Sequence, residues 1–95
     1  MNEYLLLMHG GTSAEPEAWA VYIAGLRSAG CFLGGSSIGG GICVTRSGPP
    51  PDLTRHLVGY LKIRAADLAE ATALLAGNPV YDAGGTVEIR ELPRD

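Results

Sequence analysis

Positive charge is scarce in this chain and nowhere concentrated: Lys and Arg number 7 against 10 Asp and Glu in 95 residues, for a formal net charge of -3. A phosphate backbone or an anionic bilayer recruits protein through a dense positive field. The sequence therefore argues against nucleic acid and against a membrane surface as partners. Apolar runs are short, and none approaches the roughly 20 residues of a bilayer-spanning helix. Asn2-Glu3 leads straight into the first apolar segment, without the basic, hydrophobic and small-residue order of a secretory signal. Cysteine is sparse as well. Cys31 and Cys43 share no Cys-x-x-Cys frame and have no His at metal-ligand spacing. Both read as buried, reduced thiols, with no metal site, and the expected location is the cytoplasm. A phosphate loop is also missing, because the glycines of Gly34-Gly35-Ser36-Ser37-Ile38-Gly39-Gly40-Gly41 are followed by neither Gly-Lys-Ser/Thr nor a helix. No cofactor is implied.

What remains is a regular alternation of short apolar elements. Tyr4-Leu5-Leu6-Leu7-Met8-His9 is too short for a helix and apolar on both alternating faces, so it reads as a strand covered on both sides. From Ala14 to Ala29 the period becomes helical, with Trp19, Tyr22, Ile23 and Leu26 on one stripe. Thr12 or Ser13 is placed to cap this helix, Pro16 suits its first turn, and Gly30 suits a left-handed terminus. Cys31-Phe32-Leu33 opens a second strand. Ile42-Cys43-Val44-Thr45-Arg46 reads as another, making a hairpin across the glycines, and the prolines at 49–51 mark a loop. His56 to Ile63 alternates as a strand with Leu57, Gly59, Leu61 and Ile63 on one face and His56, Val58, Tyr60 and Lys62 on the other. Asp67, with Glu70 three residues on, caps a second helix whose buried stripe is Leu68, Ala71, Leu74 and Leu75. Gly77 ends it, Pro79 blocks its resumption, and Thr86-Val87-Glu88-Ile89-Arg90 closes the chain as a strand.

The order is βαββαβ with an extra hairpin strand, a ferredoxin-like α+β unit with both helices on one side of the sheet. Residues 1–95 form one domain, and a chain this short buries only about 60–65% of its unfolded surface. The apolar second face of the first strand, Leu5 and Leu7, calls for a cover. The simplest cover is a second copy packed sheet against sheet, a homodimeric α/β barrel with a cleft between the sheets.

The residues that carry a resemblance are Tyr4-Leu5-Leu6-Leu7, Ala29-Gly30, Gly59-Tyr60, Asn78-Pro79 with Ala83-Gly84, and Thr86-Val87-Glu88-Ile89-Arg90. Over nearly its whole length the chain resembles the YCII-related family of dimeric α/β barrels. That likeness implies a homodimer with a small-molecule cleft and, by analogy with muconolactone-isomerase-like barrels, cofactor-free chemistry. The Asp-Gly-Pro-Phe motif of one branch of the family is absent, with Ser47-Gly48-Pro49-Pro50 in its place. The family's helix histidine and its aspartate before proline are replaced by Tyr22 and Asn78. No inherited acid–base dyad is assigned.

Strand parity instead gathers His9, His56, Tyr60, Glu88 and Arg90 on the helix-free face. His9 ends the first strand, where antiparallel pairing brings it near Thr86 or Glu88; an imidazole beside a carboxylate can exchange protons near neutral pH. The catalytic candidates are His9 and Tyr60, and the ligand-binding candidates are Arg90, Glu88 and His56. Glu88 and Arg90, two residues apart, either pair with each other or hold a ligand anion. The function expected is binding of a small organic acid in the inter-sheet cleft, and the alternative is a non-catalytic dimeric accessory or regulatory module.

Overall fold

The strand and helix periodicities of the sequence resolve, in a computed structural model that describes residues 1–10 and 15–94, into β1 (Asn2–His9), α1 (Pro16–Ser28), β2 (Phe32–Ser37), β3 (Leu57–Ala65), α2 (Leu68–Ala73), α3 (Pro79–Asp82) and β4 (Thr86–Leu92). β1 is central and pairs antiparallel with both β3 and β4, and β2 joins outside β3, giving the order β2-β3-β1-β4. This is the ferredoxin-like arrangement.

The alternation in β1 decides which face is core. Tyr4, Leu6 and Met8 are buried together with Leu61, Ile63 and Ala65 of β3, Tyr22 and Leu26 of α1, and Ala71, Leu75 and Val80. Val87 and Ile89 of β4 pack on the same cluster. Leu6 and Ile63 are wholly buried, and truncating either to Ala would cost about 2–5 kcal/mol. Leu5, Leu7 and His9 take the opposite parity and are only partly covered.

Local chemistry ends each element. Pro16 opens α1, Arg27 stands in its last turn, and Gly30 at φ 74° turns the chain so that the Cys31 amide closes on the Leu26 carbonyl. The residue preceding α1 is Glu15, which makes no side-chain cap. The cap expected at Thr12 or Ser13 lies outside the described residues. Asp67 caps α2 as expected: its carboxylate accepts from the Glu70 amide at 2.8 Å. Glu70 reaches back to the Ala66 amide at 3.1 Å, one residue earlier than a standard capping box would have it.

The structure corrects four readings. The extra hairpin strand expected at Ile42–Arg46 does not form; residues 38–56 run without regular structure between β2 and β3. Its β-branched alternation has no ladder to join, so Ile42 and Val44 are exposed. Cys43, expected to be buried, is half exposed on that segment, whereas Cys31 is buried, and both are free thiols. Leu68 is exposed, because it opens α2 and its face turns outward, so the buried stripe reduces to Ala71 and Leu75 with Leu74 beside them. Pro79 does not simply halt helix; it begins α3, where its fixed φ and missing N–H suit the first turn. Asn78 caps that turn, its Oδ1 accepting from Val80 N at 3.0 Å and Tyr81 N at 3.1 Å.

Candidate functional site

The helix-free face of the sheet is where strand register brings the polar candidates together. Leu7 of β1 stands opposite Tyr60 on one side and Glu88 on the other; Leu5 stands between Lys62 and Arg90, and His9 faces Thr86. Apolar Leu5 and Leu7 thus form the middle of a surface rimmed by charged and titratable groups. At one end Lys62 Nζ pairs with Glu3 Oε1 at 3.1 Å. At the other end lies the His9 cluster.

Gly10 explains how that cluster assembles. Its amide donates to the His56 carbonyl, and a Cβ in its place would lie 2.6 Å from Val58 Cγ1. The register between β1 and β3 shifts at this point, so that His9 pairs with Leu57 while Met8 pairs with Gly59. Such a bulge re-aims side chains at a strand end. The result is an edge-to-face stack of the His9 and His56 rings, with centroids 4.6 Å apart.

Glu88 is the hub. Its Oε1 lies 3.0 Å from His9 Nε2, and its Oε2 accepts from an Arg90 guanidinium nitrogen at 3.1 Å. The Arg90 contact, and then the His9 contact, hold the Glu88 carboxyl below the usual glutamate value against a weaker desolvation effect. An ionised carboxylate can only accept, so Nε2 of His9 carries the hydrogen between them. In neutral His9 that leaves Nδ1 as the basic lone pair. Arg90 is mostly exposed, its side chain retaining 67% of its surface, so guanidinium donors remain open to an external anion.

Four of the five candidates therefore converge: His56, His9, Glu88 and Arg90 form one continuous chain of contacts. Tyr60 shares the face but stands apart. Two strand spacings, about 10 Å, separate its strand from that of Glu88. Tyr22 and Asn78 are elsewhere, at the junction of α1 with α2 and α3. The Tyr22 hydroxyl donates to the Leu74 carbonyl at 2.8 Å, and burial raises its pKa despite the nearby Asn78 amide. Asn78 Nδ2 is buried and, among the described residues, finds no partner of hydrogen-bonding geometry. Among the described residues, no group of three or more His, Cys, Asp and Glu side chains is arranged to hold a metal ion.

Sequence parity did not reveal a cavity on the other side of the sheet. Between α1 and the β2–β3 pair lies a space of about 500 Å³ walled by Met8, Trp19, Ile23, Phe32, Leu61 and Val80. Trp19 and Ile23 read in the sequence as plain core stripe; the signal that they border a space is the pair of glycines, Gly35 and Gly59, in the adjoining strands.

No family model matches the chain. Among solved structures it is similar to 5-chloro-2-hydroxyhydroquinone dehydrochlorinase (TftG) from Burkholderia phenoliruptrix AC1100, determined in complex with 2,5-dihydroxybenzoquinone. The two share 14% identity at a TM-score of 0.62, over 98% of this chain and 95% of that one. The fold is that of the dimeric α/β barrels. Identity this low carries the architecture and nothing finer. Among the described residues, no helix is long and apolar enough to cross a membrane.

Proposed function

We propose that this chain is a single-domain, YCII-related protein that acts in the cytoplasm as a homodimer and binds a small organic acid on the helix-free sheet face. The observation that carries the reading is the Glu88 carboxylate divided between His9 and Arg90. Arg90 offers its remaining donors to the ligand's carboxylate. His9, its tautomer set by Glu88, presents Nδ1 to accept a proton from an acidic C–H or O–H of the same ligand. His56 stacks on His9 and limits its rotation. Tyr60, across Leu7, is placed to orient the far end of a ligand that spans the apolar middle. In a dimer whose two open faces meet, water leaves this surface and each of these contacts strengthens. The neighbour's complex with a dihydroxybenzoquinone supports a ligand of one-ring size. Two free thiols and the acidic charge balance support the cytoplasm.

Thermal denaturation against a panel of benzoate, small 2-hydroxy acids and hydroxylated quinones tests the reading. A ligand at a hundred times its dissociation constant stabilises by about 2.7 kcal/mol, a readily measured shift. The shift is expected in the wild type, lost in Arg90→Ala and reduced in His9→Gln. Absence of any shift, or a shift that survives Arg90→Ala, defeats the organic-acid reading. It would leave the non-catalytic dimeric module, which the satisfied Glu88–Arg90 pair favours.

A further inference from the structure

The segment 38–56 between β2 and β3 closes on itself rather than on the sheet. The Cys43 thiol donates to the Asp52 carbonyl at 3.6 Å, and the Thr45 hydroxyl to the Gly48 carbonyl at 3.2 Å. The segment stands off the body as an arm, with Ile42 82% and Val44 79% exposed, and with Ile38 and Leu53 exposed as well. The dimensions of the chain register it. Its accessible surface is 6392 Å², about 1,200 Å² more than a compact monomer of this mass presents. Its radius of gyration is 14.7 Å, against about 12 Å for a compact domain of this length. A surplus of that size on each copy matches what a permanent homodimer removes, roughly 2,000 Å² or more over the two partners.

The arm carries strand chemistry without a ladder. Ile42, Val44 and Thr45 are β-branched, a shape that suits a pleated surface. The edge that fits it is β4, which pairs with β1 alone, contains no proline and keeps its register without a bulge. An edge that regular accepts an added strand. The opposite edge, β2, is broken by a register shift between Phe32 and Gly34. Charge agrees with the choice: on the arm Arg46 and Arg55 outnumber Asp52, and on β4 Glu88 and Glu91 outnumber Arg90. The arm joins β2 to β3, which both lie on the far side of β1 from the β4 of the same copy. Its root, His56, stacks on His9 at the end of β1, so the arm leaves from the sheet face that a second copy would cover. We infer that residues 42–46 of each copy add as a fifth strand to the β4 edge of the other, clasping the homodimer and walling its cleft beside Glu88 and Arg90. The inference rests on the homodimer of the reading above.

Mixed dimers test it, with one copy labelled in heavy nitrogen and the other in heavy carbon. Isotope-filtered NMR spectra should show contacts between residues 42–46 of one copy and 86–92 of the other. Val44→Pro removes an amide donor and fixes φ at an exposed position. It should weaken the dimer at least about tenfold in sedimentation equilibrium, a loss of about 1.4 kcal/mol, with the amide spectrum of the sheet retained. Ile42→Asp makes the same test through a side chain should Val44→Pro fail to fold. A dimer without those contacts, or one as tight in the folded variants as in the wild type, overturns the arm exchange and leaves the homodimer standing. A wild-type monomer overturns both.

Discussion

At Glu88 two neighbours of different kind act on one carboxylate, and their ranking is measurable. Arg90 lowers its pKa most and His9 next. A carboxyl depressed in the folded protein contributes stability that is present above its unfolded pKa and lost as pH falls through the lower folded value. The window therefore lies below the usual glutamate range, and near neutral pH the pair is fully charged. Carboxyl carbon resonances followed by NMR should place the Glu88 midpoint below that of an ordinary glutamate. Arg90→Ala should raise it further than His9→Gln does; the reverse order would mean that His9, not Arg90, sets the charge. Since both partners are solvent-accessible, removing either should leave the denaturation midpoint close to wild type, unlike the loss from a buried pair.

The elements are held by a few side chains whose removal has predictable consequences. Asp67→Ala removes the α2 cap and should cost about 1 kcal/mol in urea denaturation. Asn78→Ala should cost more, roughly 2 kcal/mol, because one oxygen serves two amides at the start of α3 in a wholly buried position. Equal costs would mean that the buried amide nitrogen, which lacks a partner among the described residues, offsets the gain from the oxygen. Gly35→Ala is the test of the β2–β3 approach. Its Cβ would meet the Tyr60 carbonyl at 2.6 Å as well as Leu61, and overpacking against backbone costs about 1–3 kcal/mol. A midpoint unchanged from wild type would show that β2 can move away from β3.

For the whole molecule the decisive question is what covers the open sheet face. Leu5 and Leu7 are partly exposed there. Sedimentation equilibrium should find a dimer at micromolar concentration, and Leu7→Lys should dissociate it, since a charge at the centre of two facing sheets has no partner. A wild-type monomer under those conditions would remove the inter-sheet cleft and the organic-acid reading with it. The irregular segment 38–56 adds to the exposed apolar surface through Ile42 and Val44, and the chain extends 47 × 35 × 19 Å.

Sequence by itself determined the elements whose periodicity is set by their own side chains: β1, α1, β3, α2 and β4, the Asp67 cap, the Gly30 terminus, and the parity that places His9, Tyr60, Glu88 and Arg90 on one face. That parity is legible because a strand's two-residue period leaves each side chain only two directions. Tertiary structure decided the rest. Whether Ile42–Arg46 becomes a strand depends on a neighbouring ladder, which no local pattern encodes, and the sheet offers it none. The selection of Glu88 rather than Thr86 as the partner of His9 is a diagonal contact across the regular β1–β4 ladder, and the approach of His56 follows from the Gly10 contact and the β1–β3 register shift beside it. Register is a long-range pairing of separate segments. The cavity beside Trp19 likewise exists only where two glycines on different strands come to lie beneath one helix.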